Sequence, residues 1–191
     1  MTEPDQAPLS LDGRVAVVTG AGRGLGRSHA LALAERGALV VVNDPGAALD
    51  GSATAVGPAA EVVAEIEAAG GTAVADTTDI SSPEGGKAVI DAALAAFGRI
   101  DIVVNNAGIL RDGAFHKLAP EQITKVIEVH LLGTIWVTQA AWPHFREQGS
   151  GRVINTTSVA GYLGNFGQAN YGAAKAGLLG LTRGLAIGGA R

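Results

Sequence analysis

Residues 14–26 read RVAVVTGAGRGLG, a run of small and β-branched residues that leads directly into a glycine-rich turn. The next segment, residues 25–36, carries leucines and alanines at helical spacing and stops before Gly37. A strand, a glycine turn and a helix in this order place the unpaired amides of the helix N-terminus where they can bind phosphate. The stretch therefore predicts a dinucleotide-binding turn after the first strand of an α/β sheet.

The rest of the chain alternates short apolar runs with longer segments rich in alanine and leucine. The runs lack polar alternation, which is typical of strands in a parallel sheet covered on both faces. Strands are expected at residues 14–19, 38–43, 72–75, 101–104 and 152–156. Helices are expected at residues 25–36, 58–69, 83–97, from 120 towards 148 with a kink or break at Pro143, and from 168 onward, with loops at 44–57 and 161–167. This order predicts a doubly wound α/β fold with right-handed crossovers and helices on both faces.

The composition is that of one globular domain, because 47% of the 191 residues are apolar and only 17% are charged. We expect residues 1–12 to be a flexible lead and residues 13–191 to form a single NAD(P)-binding domain. The lead is acidic and polar where a secretory signal would be basic and then apolar, so export is not expected. No apolar run approaches the roughly 20 residues of a membrane-spanning helix, so no membrane partner is expected.

The charge and the residue types exclude several kinds of site. The net charge is −4 and no run of lysine or arginine is present, which argues against nucleic acid as a partner. The chain has no cysteine, which excludes disulfides, thiolate metal sites and cysteine nucleophiles. The four histidines have no ligand-like spacing, so no metal site is expected. A chain without cysteine fits a reducing compartment, and we expect it in the cytoplasm.

Asp44 follows the second predicted strand, eighteen residues after Gly26. This is close to the ~20-residue spacing of the carboxylate that binds the adenosine ribose in dinucleotide-binding folds. A carboxylate accepts hydrogen bonds from the ribose hydroxyls and repels a 2′-phosphate, which favours NAD over NADP. The alternative is a turn-forming aspartate before Pro45, with Arg23 available to meet a phosphate.

Tyr171 and Lys175 lie four residues apart in a segment of helical composition, and Ser158 precedes the tyrosine by thirteen residues. Residues four apart share a helix face, so the lysine can bring a positive charge to the phenol. A free tyrosine ionises only at about pH 10, and a neighbouring ammonium favours the phenolate. The pair alone is common on amphipathic helices. Its combination with the serine and the dinucleotide turn in one chain argues against a chance occurrence.

Together these segments resemble the short-chain dehydrogenase/reductase family, through TGAGRGLG at 19–26, NNAG at 105–108, Ser158 and YGAAK at 171–175. The resemblance implies a Rossmann-type sheet of strand order 3-2-1-4-5. It also implies that Tyr171 is the general acid/base, that Lys175 supports the phenolate and binds the nicotinamide ribose, and that Ser158 hydrogen-bonds the substrate oxygen. The implied NAD contacts are Gly20, Arg23, Gly24, Leu25, Gly26, Asp44, Asp79 and Ile80 beside the adenine, Asn106, Ala107 and Gly108 beside the ribose, Tyr171 and Lys175.

Three strings point to one branch of that family: VVVNDPG at 40–46, NNAGILRDGAF at 105–115 and GNFGQANYGAAK at 164–175. They resemble the (3R)-hydroxyacyl-CoA dehydrogenase domain of peroxisomal multifunctional β-oxidation enzymes. This implies oxidation of a 3-hydroxyacyl thioester or a hydroxysteroid, in a homodimer or homotetramer. The competing substrate is a 3-oxoacyl carrier protein, which is usually reduced with NADPH, and Asp44 argues against it.

Two features depart from the family pattern. His130 stands where many members have an asparagine that holds a water in a proton relay, and it either serves that relay or is a packed helix residue. The chain ends at Arg191, before the sixth strand, the substrate lid and the seventh strand of the family. We therefore expect an exposed sheet edge at 152–156 and poor substrate binding. The alternative function is a non-catalytic module that binds a dinucleotide, or a partner chain through the fourth and fifth helices.

Overall fold

The computed structural model describes residues 9–46 and 57–190. Its strands are β1 (Val15–Thr19), β2 (Leu39–Asn43), β3 (Thr72–Asp76), β4 (Ile102–Asn105) and β5 (Arg152–Asn155). Its helices are α1 (Gly24–Glu35), α2 (Pro58–Ala68), α3 (Pro83–Phe97), α4 (Pro120–Ile127), α5 (Gly133–Gln148), α6 (Ala160–Leu163) and α7 (Ala169–Gly189), with a 3₁₀ turn at Phe115–Lys117 and a π-helical segment at Glu128–Leu132. Every predicted strand and helix is present.

The strands form a parallel sheet in the order β3-β2-β1-β4-β5. At its centre, Val17 of β1 lies opposite Val41 of β2 on one side and Val103 of β4 on the other. The strand order reverses beside β1, and the carboxyl ends of β1 and β4 therefore border a crevice of the kind in which open α/β sheets bind ligands. The predicted fold class and strand order are confirmed.

Two hydrophobic cores cover the two faces of the sheet. Ala16 and Val18 of β1 pack in the core that contains residues of α1 and α2. Val15 and Val17 pack in the other core, with residues of α3 and α5. Successive strand residues point to opposite faces, so a strand buried on both faces must be apolar throughout. This accounts for the absence of polar alternation in the sequence.

Of the kink or break predicted at Pro143, the break is wrong. α5 continues through Pro143, which is exposed, while Val137, Ala141 and Phe145 on its other face are buried in the core. The helical regularity changes earlier, in the π-helical segment between α4 and α5. The predicted loop at 161–167 is also partly helical, because α6 extends to Leu163. Most of the predicted loop at 44–57, namely 47–56, lies outside the described residues.

β5 forms one edge of the sheet, as expected. Among the described residues it pairs on one side only, with β4, and its Ile154 is 51% exposed. Residues 1–8 of the predicted lead lie outside the described part of the chain, whereas the Leu11 amide donates to the Arg36 carbonyl at 2.7 Å. In the ranges 9–46 and 57–190, no helix is both long and apolar enough to cross a membrane.

Asp101 fastens the amino end of β4 to β1. Its side chain is 4% exposed and accepts hydrogen bonds from the Val15 amide at 3.0 Å, from Arg14 at 2.8 Å and from Arg99 at 2.7 Å. Burial alone would raise the pKa of Asp101, but the hydrogen bonds from Arg99, Val15 and Arg14 and the charge of Arg99 outweigh it and lower the pKa below its ordinary value.

We expect Asp101→Asn to lower the free energy of unfolding by about 2 kcal/mol, because the amide cannot accept all these bonds and leaves a buried donor unpaired. Urea denaturation at pH 7 measures the loss, with the exposed Asp91→Asn as the control. A carboxylate with a lowered pKa stabilises the fold above its ordinary pKa of 3.8, and this contribution disappears as the pH falls through the lower folded value. An Asn variant as stable as the wild type would contradict this role.

Candidate active site

The glycine turn after β1 packs directly on the segment after β4. Gly20 has a φ of +61°, and a Cβ at this position would lie 2.7 Å from the Ala107 Cα. A Cβ at Gly26 would overlap the Gly20 carbonyl oxygen and the Asn106 side chain. Only glycine fits this close approach of two backbones. The turn is thereby held at the crevice beside β1 and β4.

The N-terminus of α1 opens at this turn. Arg23 occupies the N-cap position in an extended conformation, and its side chain does not cap the helix. Gly24 and Leu25 in the first turn are exposed, and Gly26 is buried. The uncapped amides and the helix dipole favour an anion at this position. These residues fit the phosphates of a dinucleotide.

Asp44 lies at the carboxyl end of β2, next to the turn. Its Oδ2 accepts a hydrogen bond from the Gly22 amide and its Oδ1 from the Gly46 amide, both at 2.9 Å. Each carboxylate oxygen has a second lone pair, so the fixed carboxylate can still accept bonds from two hydroxyl groups. The geometry fits a ribose with free hydroxyls beside the turn.

Asp79 and Ile80 follow the carboxyl end of β3, on the same side of the sheet as Asp44. Burial acts to raise the pKa of Asp79, but hydrogen bonds from Ser81 and the charge of Lys125 outweigh it and lower the pKa. The Ile80 side chain is 5% exposed and packs in the core between the sheet, α3 and α5. Little of Ile80 is therefore accessible to a ligand.

The segment after β4 is fixed by Thr19. The Thr19 Oγ1 accepts hydrogen bonds from the amides of Asn106 and Ala107, both at 3.1 Å. The Asn106 side-chain amide donates to the carbonyls of Thr19 and Gly20 at 3.1 and 3.0 Å. Gly108 lies against the ring of His130, and a Cβ there would overlap it. Asn106, Ala107 and Gly108 thus form a rigid wall of the crevice.

Tyr171 and Lys175 lie on α7, and Ser158 lies in the loop between β5 and α6. The Lys175 Nζ is 5.7 Å from the centre of the Tyr171 ring and donates to the Thr156 carbonyl at 2.5 Å. The Thr157 hydroxyl donates to the Lys175 carbonyl at 2.9 Å. Two residues that precede Ser158 are therefore bonded to Lys175, which holds the loop that carries Ser158 (the serine loop) against α7.

Lys175 is buried more deeply than lysine usually is. Its side chain is 3% exposed, and burial lowers its pKa to about 8. Burial of an ammonium destabilises a fold unless the charge is paired and hydrogen-bonded. Tyr171 is partly buried against Ile109, Val126 and Ala174, so the charge lies beside a phenol in a surrounding of low polarity.

His130 lies on the π-helical segment and packs against Tyr171. The two ring centres are 5.1 Å apart and the ring planes are at 88°. Burial, together with the charge of Lys175, lowers the pKa of His130 to about 4, so the imidazole is neutral at pH 7. Tyr171, Lys175 and His130 form one contiguous cluster.

Several residues at the site were not found from the sequence. Asn170 is 4% exposed and donates to the Arg111 carbonyl at 3.0 Å, while its Oδ1 accepts from the Tyr171 amide at 2.8 Å. It ties α7 to the loop after β4. Thr19 likewise accepts bonds through its hydroxyl and its carbonyl oxygen, and Thr156 accepts through its carbonyl oxygen. An asparagine directly before Tyr171 was the available signal for Asn170, whereas a carbonyl contact such as that of Thr156 leaves no trace in the sequence.

Within the described part of the chain, no group of three or more histidine, aspartate or glutamate side chains could hold a metal ion. The polar groups described above lie instead at the carboxyl ends of the strands. This side of the sheet carries the glycine turn, the carboxylate of Asp44 and the tyrosine–lysine pair.

The model of one protein family, described as short chain dehydrogenase, matches residues 14–190. The chain belongs to this family. The predicted family resemblance is therefore confirmed, and members of the family typically bind a nicotinamide dinucleotide.

The chain is similar to several curated proteins. It is 56% identical over 178 residues to a short-chain type dehydrogenase/reductase of Mycobacterium tuberculosis, covering 93% of this chain and 62% of that protein. It is 54% identical over 183 residues to peroxisomal multifunctional enzyme type 2 of Mus musculus, covering 96% of this chain and 24% of that protein. A 3-oxoacyl-[acyl-carrier-protein] reductase of Synechocystis is 46% identical, with 91% of this chain and 67% of the reductase covered. This chain thus spans less than two thirds of the first two relatives.

Among solved structures, a short chain dehydrogenase from Mycobacterium avium superposes with a TM-score of 0.82 at 48% identity. The superposition covers 90% of this chain and 61% of that one. At this identity, the likeness supports both the Rossmann-type fold and the family.

Proposed function

We propose that this chain is the catalytic part of an NAD-dependent oxidoreductase that transfers a hydride between a secondary alcohol and the nicotinamide, with a 3-hydroxyacyl-CoA as the substrate. The observation that carries the proposal is the buried Lys175 beside Tyr171, at the same edge of the sheet as the uncapped α1 turn. The similarity to peroxisomal multifunctional enzyme type 2 supports the substrate class.

The proton chemistry follows from the groups on α7 and in the serine loop. The Tyr171 phenolate takes the hydroxyl proton of the alcohol as general base, and the phenol returns it in the direction of reduction. The Ser158 Oγ accepts a hydrogen bond from the Ala160 amide at 3.2 Å, so its own proton is available for the substrate oxygen. Bound NAD would supply the hydride acceptor.

Lys175 has two tasks in this mechanism. Its positive charge stabilises the phenolate of Tyr171. One of its three ammonium protons goes to the Thr156 carbonyl, which fixes the side chain and leaves donors for the nicotinamide ribose. The bond to Thr156 therefore fixes the position of the Lys175 ammonium relative to the Tyr171 ring.

The test is a measurement of NADH formation by purified, folded chain with 3-hydroxyacyl-CoA of several chain lengths. The expected result is turnover with NAD that exceeds turnover with NADP. Absence of turnover by folded protein, combined with retained NAD binding in calorimetry, would favour the alternative of a non-catalytic dinucleotide-binding module.

The preference for NAD is proposed to rest on Asp44. Replacement by alanine removes the acceptor for the ribose hydroxyls and the repulsion of a 2′-phosphate, so kcat/KM with NAD should fall about 10- to 100-fold relative to that with NADP. Steady-state kinetics with both cofactors measures the ratio. Glu61→Ala, an exposed carboxylate at the start of α2, is the matched control. An unchanged ratio in Asp44→Ala would show that the ribose lies elsewhere.

A second candidate substrate is a 3-oxoacyl carrier protein, which the similarity to the Synechocystis reductase favours. A carrier-protein substrate should be reduced with NADPH in preference to NADH, and a CoA thioester should then be a poor substitute. Competition between the two thioesters in one assay separates the candidates. The fixed carboxylate of Asp44 argues for the CoA substrate and NAD.

We further propose that the protein acts in the cytoplasm as a homodimer or homotetramer. The absence of cysteine from the chain is compatible with a reducing compartment. Light scattering after size-exclusion chromatography measures the assembly, and fluorescence microscopy of a tagged copy measures its location.

A further inference from the structure

His130 is a buried residue to which the proposed proton transfer assigns no step. It is 3% exposed and lies on the π-helical segment, an irregularity that often occurs at functional sites. The His130 carbonyl accepts a hydrogen bond from the Thr134 hydroxyl at 2.8 Å. The irregular backbone turn is thus stabilised by a side chain, and the imidazole lies against Gly108 and Ile109 after β4.

One ring nitrogen of His130 is bound to the backbone of the crevice wall. Its Nε2 lies 3.0 Å from the Ile109 amide nitrogen and 2.8 Å from the Ile109 carbonyl oxygen. A neutral imidazole nitrogen either accepts or donates, so one of these two bonds forms in each tautomer. In both tautomers the ring is fixed to Ile109, directly after the Gly108 that it covers.

The His130 ring also contacts the ring of Tyr171. The two rings meet edge to face with their centres 5.1 Å apart, an arrangement that aromatic pairs favour. Lys175 approaches the same tyrosine ring at 5.7 Å from its centre. Tyr171 therefore contacts both a neutral ring anchored to Ile109 and an ammonium anchored to Thr156.

We propose that His130 is a positioning residue for the proton transfer, because its bond to Ile109 fixes the imidazole on which the Tyr171 ring rests. The inference depends on the proposed function of Tyr171. The Nδ1 of His130 has no hydrogen-bond partner among the described residues. The hydrogen bond of the ring to Ile109 is therefore made by Nε2 alone.

Two substitutions separate the anchor from the packing. His130→Phe keeps an aromatic ring beside Tyr171 but has no nitrogen for Ile109, and His130→Gln keeps a polar group at about the position of Nε2. We expect the Phe variant to fold and to lose about 10- to 100-fold in kcat with little change in KM for NAD, because small displacements of a reacting group are costly. The Gln variant should recover most of that loss. His29→Gln, at an exposed histidine of α1, is the control.

A second readout does not depend on turnover. The chain has two tyrosines, so in a Tyr162→Phe background the NMR signals of labelled tyrosine report Tyr171 alone. His130→Phe should shift and broaden these signals and speed hydrogen exchange of the Ile109 amide, and His130→Gln should restore both. Wild-type kcat in the Phe variant, or unchanged tyrosine signals and exchange, would overturn the inference. An inactive wild type with the expected NMR changes would contradict the proposed function and leave the positioning contact in place.

Discussion

Tyr171→Phe should lower kcat by about 10²- to 10⁴-fold while the protein remains folded, because general acid–base catalysis contributes on this scale. The substitution removes only the hydroxyl. The ring keeps its contacts with Ile109, Val126 and Ala174 and with His130, so packing and stability should change little. NADH formation from a 3-hydroxyacyl-CoA measures the loss of activity, and thermal unfolding measures the stability.

Tyr162→Phe is the matched control for this substitution. Tyr162 lies on α6, is 61% exposed and is the other tyrosine of the chain. The same change of one hydroxyl should therefore leave kcat within about twofold, as expected for an exposed surface position. If both variants retain wild-type turnover, Tyr171 does not transfer the proton, whereas NAD binding that falls with kcat in Tyr171→Phe would indicate a cofactor contact instead.

The arrangement of the glycine turn and Asp44 could be predicted from sequence because its determinants are local. The requirement for glycine at Gly20 and Gly26 comes from one tight turn and its contact with residues 106–107. Asp44 reaches this turn because parallel strands align their carboxyl ends at one edge of the sheet. A short motif and the strand order therefore determine which residues meet.

The candidate catalytic cluster of Tyr171, Lys175 and His130 was less accessible from sequence because it depends on contacts between distant segments. Spacing places Tyr171 and Lys175 on one face of α7 but does not reveal that a carbonyl of the serine loop binds Lys175. The sequence left open whether His130 serves a proton relay or is a packed helix residue. Its contacts depend on the π-helical segment, which the sequence did not predict. Pro143 misled the prediction because the buried face of α5 keeps the helix continuous despite one missing amide.

Lys175→Met should lower the activity of the protein but raise the free energy of unfolding at pH 7. Without the ammonium, neither the phenolate nor the ribose has its charged partner, so kcat/KM should fall by at least about 10²-fold. Methionine keeps an apolar stem in the buried space and carries no charge to desolvate. The pKa of Lys175 is about 8 instead of 10.5, and this difference corresponds to a cost of about 3 kcal/mol at neutral pH. Loss of the bond to Thr156 offsets about 1 kcal/mol of the gain.

The dependence on pH distinguishes this explanation from a general packing effect. Between pH 8 and 10.5 the unfolded chain binds the lysine proton more tightly than the folded chain, so the wild type should gain stability relative to Lys175→Met as the pH rises through this window. Urea unfolding of both proteins at pH 7 and pH 10 measures the difference. Lys87→Met, at a 70% exposed lysine of α3, should stay within about 0.5 kcal/mol of the wild type at pH 7. A methionine variant that is less stable than the wild type at pH 7 would show that the ammonium stabilises the fold, and the buried charge would then need no catalytic role to explain it.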